Sequence, residues 1–260
     1  MELSVAQRNQ VNAHILDEVL TNKGKIAEEL ENLVYPLYFI DYETFPSAIP
    51  MFDGFSPYQQ IPFQYSLYVL HKPDGLVHRS FSEGGELKQF EFLHDKKSDP
   101  SRPFAESMRG HIGNTGTVIV WSKKFECSRN SELIERLRTF PKPLSGELVE
   151  PVKGICEFLE SVNARTYDLM DIFTKQHFVH KDFHGSTSIK KVLPVLAPEL
   201  SYKNLVIQEG GTASSSWLKL INPGLSPGEK VKLRKDMLEY CKLDAFAMVR
   251  IFEELRKVIK

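Results

Sequence analysis

Apolar residues recur at steps of three, four or seven over residues 5–33: Val11, Ile15, Val19, Ile26, Leu30 and Leu33. That period predicts helix, with Gly24 ending a first helix and starting a second. Pro36 closes the stretch, and Leu37-Tyr38-Phe39-Ile40 is a short apolar run typical of a buried strand. Residues 44–60, with Pro46, Pro50, Gly54 and Pro57, read as loop. Two strands are predicted next, Phe63 to Leu70 and Leu76 to Phe81. They are joined as an antiparallel hairpin by the turn residues His71-Lys72-Pro73-Asp74-Gly75. Residues 86–113 read as helical, interrupted by a polar patch from Asp95 to Pro103. Thr117-Val118-Ile119-Val120-Trp121 is β-branched and predicts a buried strand. Helical patterns follow at 128–139, 145–161, 188–197, 211–221 and 227–259. This order predicts one α/β domain with a mixed β-sheet flanked by helices, undivided by any repeat or linker.

Composition narrows the function classes. Of 260 residues, 42% are hydrophobic and 26% charged, with 33 basic against 34 acidic side chains and a formal net charge of −1. A histone-like or tail-type nucleic-acid binder would be strongly basic and is excluded. The charge is uneven: residues 1–60 carry 3 Lys/Arg and 9 Asp/Glu, and the remaining 200 carry 30 and 25. Cys127, Cys156 and Cys241 form no C-x-x-C pair, which rules out a zinc ribbon or a thioredoxin-like site built from them. An odd, sparse set suits a reducing compartment. No apolar run approaches the roughly 18 residues of a membrane span, and no basic n-region precedes an apolar stretch, so the expected location is cytoplasmic.

Three patterns carry candidate chemistry. Asp41-Tyr42-Glu43 follows the Leu37–Ile40 run directly. On a strand, residues i and i+2 share a face, about 6.6 Å apart at about 3.3 Å per residue. Two carboxylates so placed repel unless a cation lies between them, and hard oxygen ligands suit Mg²⁺ or Mn²⁺. Tyr240 and Asp244 are i and i+4 in the last helix, on a face otherwise lined by Met237, Met248, Ile251 and Phe252. A carboxylate on that stripe is costly to bury unless it is paired or metal-bound. Phe125-Glu126 follows the Val118–Val120 strand, where a helix begins; Asp168, in Tyr167-Asp168-Leu169, competes with Glu126 for the same role. Each also has a purely structural reading: a solvated strand end, a surface Asp, a helix-dipole partner and an N-cap.

Taken in order, D-x-E after the first strand, F-[D/E] after a later strand and Y-x-x-x-D in a late helix resemble the DEDD exonuclease superfamily, Tyr240 marking the DEDDy type. The wider phrasing is similar to an uncharacterised bacterial branch. It runs through Tyr35-Pro36-Leu37-Tyr38-Phe39-Ile40-Asp41-Tyr42-Glu43-Thr44, Ile61-Pro62-Phe63-Gln64-Tyr65-Ser66, Gly185-Ser186-Thr187-Ser188-Ile189-Lys190 and Leu238-Glu239-Tyr240-Cys241-Lys242-Leu243-Asp244. The resemblance implies a ribonuclease-H-like fold over residues 34–260, with 1–33 as an N-terminal helical extension. It departs from the superfamily pattern at Ser122-Lys123-Lys124-Phe125-Glu126, where Glu stands for Asp and Ser for Asn. Glu126 is the preferred fourth carboxylate and Asp168 the alternative.

The expected chemistry follows. Asp41, Glu43, Glu126 and Asp244 would hold two divalent ions about 3.5–4 Å apart. Tyr240, whose ordinary pKa near about 10 makes it a poor base, would position the attacking water. The resemblance implies removal of nucleotides from the 3′ ends of DNA or RNA. Spacing alone supports metal-assisted phosphoester hydrolysis. The rivals are a catalytically inactive nucleic-acid-binding or scaffold module with the same fold, and a phosphoesterase acting on small nucleotides. Candidate phosphate contacts are Lys123, Lys124, Lys190 and Lys191, with Lys230, Lys232, Arg234 and Lys235 further off. Phe45, Phe55 and Tyr58 are candidates to stack on a terminal base. His177, His180 and His184 have a spacing that invites a zinc reading, but exposed loop histidines are the expectation.

Overall fold

A computed structural model describes residues 2–71, 87–140, 150 and 152–260. The chain runs through α1 (Val5–Leu16), β1 (Leu20–Thr21), α2 (Lys23–Glu31), β2 (Leu37–Pro46), β3 (Gln60–Leu70), β4 (Leu87–Leu93), α3 (Ser101–His111) and β5 (Thr117–Val120). It continues with α4 (Lys123–Thr139), α5 (Val152–Ala164), β6 (Thr166–Asp168), α6 (Asp171–Thr174), β7 (Phe178–Val179), α7 (Ile189–Leu196), α8 (Gly210–Ile221) and α9 (Pro227–Val258). Among the described residues the main sheet has five strands, in the order β4-β3-β2-β5-β6. β2 pairs antiparallel with β3 and parallel with β5, and β5 pairs parallel with β6. The expected mixed α/β sheet flanked by helices is therefore the architecture of the chain.

Alternation along β2 organises the layers. Leu37 and Phe39 point into a core shared with α2, α6, α7 and α9. Tyr38, Ile40 and Tyr42 point into a second core shared with α3, α4 and α5. A third cluster, built on Phe63, Trp217, Met237 and Tyr240, closes the sheet end beneath α8. Period-two alternation puts Asp41 and Glu43 on the Phe39 face, beneath α9.

β2 is longer than the apolar run suggests. It extends to Pro46, so Asp41 and Glu43 lie within the strand, and Thr44 to Pro46 belong to it and not to a loop. β3 supplies the reason, since Ser66 and Gln64 sit opposite Asp41 and Glu43 and satisfy their backbone groups. The register slips between Glu43 and Thr44, a bulge that bends the strand beside the carboxylates.

Two other expectations are corrected. Residues 87–93, expected to be helical, form β4, which pairs with β3 from Leu70 to Gln64. Phe90 and Phe92 share one face of it and pack on the second core, with Phe92 stacked on Tyr65 at 5.8 Å. The predicted strand Leu76–Phe81 and most of its turn lie outside the described residues. Gly24 does not divide two helices. α1 ends at Asp17, in the left-handed conformation, and α2 starts at the Asn22 cap, with Gly24 in its first turn. Val11 and Ile15 face solvent on α1, whereas Ile26 and Leu30 of α2 enter the first core.

α9 crosses the sheet as a single helix of 32 residues. Its start is fixed by a Ser226/Glu229 capping box with Pro227 in the first turn. Met237, Tyr240, Cys241, Asp244, Ala245, Met248, Ile251 and Phe252 are all buried, so the stripe read from the sequence is the face turned to the sheet.

Candidate active site

Asp41 and Glu43 project from β2, Glu126 from the first turn of α4, and Asp244 from the middle of α9. Glu43, Glu126 and Asp244 are 6%, 3% and 6% exposed, and Asp41 keeps a partly exposed edge. These four side chains act on one another electrically. Burial, then Asp244, Glu43 and Glu126, hold the Asp41 carboxyl well above the usual carboxylate range. Glu43 is raised by burial, then by Asp244, against the opposing charge of Lys190, with a further push from Glu126. Glu126 is raised by burial and by Asp168, against its own backbone N–H and Arg129. Burial lifts Asp244 from 3.8 to about 6, although hydrogen bonds from Tyr202 and Tyr240 and the charge of Lys190 favour its ionised form. Four clustered carboxyls with so little positive charge around them are a costly arrangement.

Each is positioned by its own element. Glu126 depends on the entry to α4, where Ser122 has φ 91° in the left-handed region. That turn is clamped by Asp168. Its Oδ1 accepts from the backbone N–H groups of Ser122 (3.0 Å) and Met170 (3.1 Å), and its Oδ2 from that of Lys123 (2.7 Å). Asp168, the alternative fourth carboxylate, is thus engaged with backbone on both oxygens. Glu126 Oε2 is buried with no hydrogen-bond partner, as are Gln64 Oε1 and Ser66 Oγ on the neighbouring strand.

Asp244 is held by two tyrosines. The Tyr202 hydroxyl donates to Asp244 Oδ1 at 2.5 Å, and Tyr240 also hydrogen-bonds this carboxyl. Burial first, then the Asp244 charge, raise both phenols, so each remains a protonated donor at neutral pH. One turn of α9 away from Asp244, Cys241 directs its thiol at the Asp41 carbonyl (3.6 Å). Ligating atoms of Asp41, Glu43 and Cys241 lie within 4.8 Å of one another. Burial and the three nearby carboxylates push the Cys241 thiol up, which keeps it protonated. The first turn of α8 flanks the site, since a Cβ on Gly210 would lie 3.8 Å from Glu43 Oε2. The positive end of the helix dipole there favours the Glu43 charge.

The lysines divide. Lys190 donates to the Gln208 carbonyl at 2.8 Å, and its ammonium lies 5.5 Å from the ring centres of both Tyr202 and Tyr240. Its charge acts on Asp41, Glu43 and Asp244. Lys123, Lys124 and Lys191 are exposed on the surface. Arg234 and Lys235 pair with Asp95 and Glu239.

Other sequence candidates have structural roles. Phe45 packs on Trp217 and Phe55 under the Arg136 guanidinium; Tyr58 is 71% exposed. His177 faces Glu29, His180 accepts from the backbone N–H of Asp182, and His184 ends a short 3₁₀ turn; the three do not converge. Among the described residues the cysteines are free, and no helix is long and apolar enough to cross a membrane. Tyr202 and the Gln208 carbonyl escaped the sequence reading. Both lie in the irregular segment between α7 and α8, where no periodicity marks a side chain as inward-facing.

Comparison with known proteins adds a family. The curated relatives include Uncharacterized protein MG366 from Mycoplasma genitalium, 27% identical over 233 residues, covering 85% of this chain and 32% of that protein. Uncharacterized protein UU173 from Ureaplasma parvum is 26% identical over 236 residues, covering 85% of this chain and 31% of that protein. The chain thus spans about a third of the length of these relatives. No solved structure matches. The family described as Domain of unknown function (DUF2779) matches residues 38–188, a span that begins at β2 and contains Asp41, Glu43, Glu126 and Asp168. The chain belongs to that family.

Proposed function

We propose that this chain is a metal-dependent phosphodiester hydrolase, and specifically a 3′→5′ exonuclease on DNA or RNA. The observation that carries the reading is a buried set of carboxyls whose charges act on one another, Asp41 with Glu43, Asp244 and Glu126, together with a buried Glu126 oxygen that has no hydrogen-bond partner. All are hard oxygen donors, and their mutual repulsion is the condition that Mg²⁺ or Mn²⁺ relieves. Asp41, Glu43, Glu126 and Asp244 would hold two such ions. When bound, divalent ions supply water activation and charge stabilisation at a phosphodiester. Direction of attack and the nucleic-acid substrate rest on the order of D-x-E, F-E and Y-x-x-x-D, which resembles the DEDDy exonucleases.

The chain's own residues have definable tasks. Tyr240, a protonated phenol beside Asp244, orients the attacking water by its hydroxyl and does not act as base. Tyr202 fixes the Asp244 rotamer through its hydrogen bond. Asp168 holds the α4 entry and thereby the Glu126 carboxylate. The test is incubation of 5′-labelled single-stranded RNA, single-stranded DNA and duplex DNA with Mn²⁺ or Mg²⁺, with and without chelator. A ladder shortening from the 3′ end, lost with chelator and in Asp41→Ala, is expected. If no substrate is cut, the inactive binding module replaces this reading; if Asp41→Ala and Asp244→Ala cut as well as the parent, the reading fails.

A further inference from the structure

We propose that Lys190 is the anion-binding residue of the site, taking a non-bridging oxygen of the substrate phosphate beside the carboxylates. This rests on the phosphodiester reading above and assigns a residue to its substrate. Lys190 sits in the first turn of α7; its ammonium donates to the Gln208 carbonyl and lies 5.5 Å from the ring centres of Tyr202 and Tyr240. An ammonium has three donors. One goes to Gln208, and at 5.5 Å the two rings attract the charge from too far away to accept an N–H. Lys190 acts on Asp41, Glu43 and Asp244 at a distance and forms no close ion pair with any of them. A lysine serving only as counterion would reach for a carboxylate; this one is braced at the edge of the cluster with donors to spare.

The placement gives Lys190 two opposite effects. Its positive charge partly neutralises the carboxylates, so it opposes a divalent ion binding the same oxygens. The same charge attracts a phosphate that approaches them, an anion which four carboxylates would otherwise repel. Lys123, Lys124 and Lys191 have no comparable bracing and are not part of this inference.

The opposition supplies the test. Mn²⁺ affinity without substrate is measured by titration for the parent, Lys190→Gln and Lys190→Arg, and each protein's fold is checked by thermal melting. Lys190→Gln should bind Mn²⁺ about tenfold more tightly, because one nearby positive charge is gone. Binding of a nucleoside 5′-monophosphate to the Mn²⁺-loaded protein, read calorimetrically, should weaken about 10- to 100-fold in Lys190→Gln, the loss of one charge-assisted hydrogen bond. Lys190→Arg should stay close to the parent in both. In the cleavage assay, kcat/KM of Lys190→Gln should fall about 100-fold despite the tighter metal. Weaker Mn²⁺ binding in Lys190→Gln, or unchanged nucleotide binding, would overturn the assignment. If the parent cuts nothing yet Lys190→Gln still shows tighter metal and weaker nucleotide binding, the nuclease reading fails and the Lys190 assignment stands.

Discussion

Asp244→Asn should stabilise the metal-free protein at alkaline pH and destroy its response to metal. The substitution keeps the side-chain shape and an oxygen to accept the Tyr202 hydroxyl, and it removes one buried negative charge. Burial holds Asp244 at about 6 against an ordinary 3.8, which corresponds to about 3 kcal/mol between its charged and neutral forms. The sign follows from linkage. The folded state binds this proton more tightly than the unfolded chain, so the contribution is fully present below pH 3.8 and is lost as pH rises through about 6. At pH 8 in chelator, the parent therefore carries the full cost and Asp244→Asn does not. Relief at Asp41 and Glu43, which the Asp244 charge also raises, adds in the same direction. A gain of about 3 kcal/mol in a chain of this size raises Tm by about 6–12 °C. Thermal and urea unfolding at pH 4.5 and pH 8, in chelator and in Mn²⁺, would measure it. The expected pattern is a gain at pH 8 that shrinks towards pH 4.5, with Mn²⁺ stabilising the parent and not the variant. A variant less stable than the parent at pH 8 in chelator would refute the reasoning, because the four carboxyls would then not be a strained cluster.

Three further outcomes follow from the supporting structure. Asp168→Ala strips the acceptor from two backbone N–H groups at the α4 entry and from that of Met170, and should cost about 1–3 kcal/mol; urea unfolding measures this, and Mn²⁺ affinity should fall with it as Glu126 loses its mooring. Ser122→Gly removes a left-handed non-glycine residue at φ 91° and should raise the unfolding free energy by about 1 kcal/mol by the same assay. Arg136→Ala breaks a pair with Asp99 (2.5 Å), a bond to the Asp53 carbonyl and the stack on Phe55. It should lower stability by about 2–3 kcal/mol in thermal melts while leaving Mn²⁺ affinity unchanged.

The helices at the C-terminal end of the chain were the most legible elements. α7, α8 and α9 begin and end within a residue or two of their apolar periods, because each buries one stripe and the stripe is written in the sequence. β4 was not legible: Leu87, Phe90 and Leu93 fall at steps of three, which suits a helix, and the pairing of Phe90 with Phe92 on one face acquires its meaning only with β3 there to receive it. α1 fails in the opposite way. Val11 and Ile15 have helical spacing, but their face meets solvent and only Ala13 of that helix is buried.

For the candidate site, the sequence by itself determined which residues share a face. Period two puts Asp41 with Glu43, and the α-helical turn puts Tyr240 with Asp244, through local geometry alone. Only the tertiary structure decided that β2, α4 and α9 bring these faces together. It also set Glu126 and Asp168 apart, which sit at similar points of the sequence pattern: one carboxylate keeps a buried oxygen without a hydrogen-bond partner, and the other accepts from three backbone N–H groups. Tyr202 and the special position of Lys190 come from the same source. A contact between a loop and a helix 42 residues apart has no local periodicity to announce it, and arises only when packing sets the two side by side.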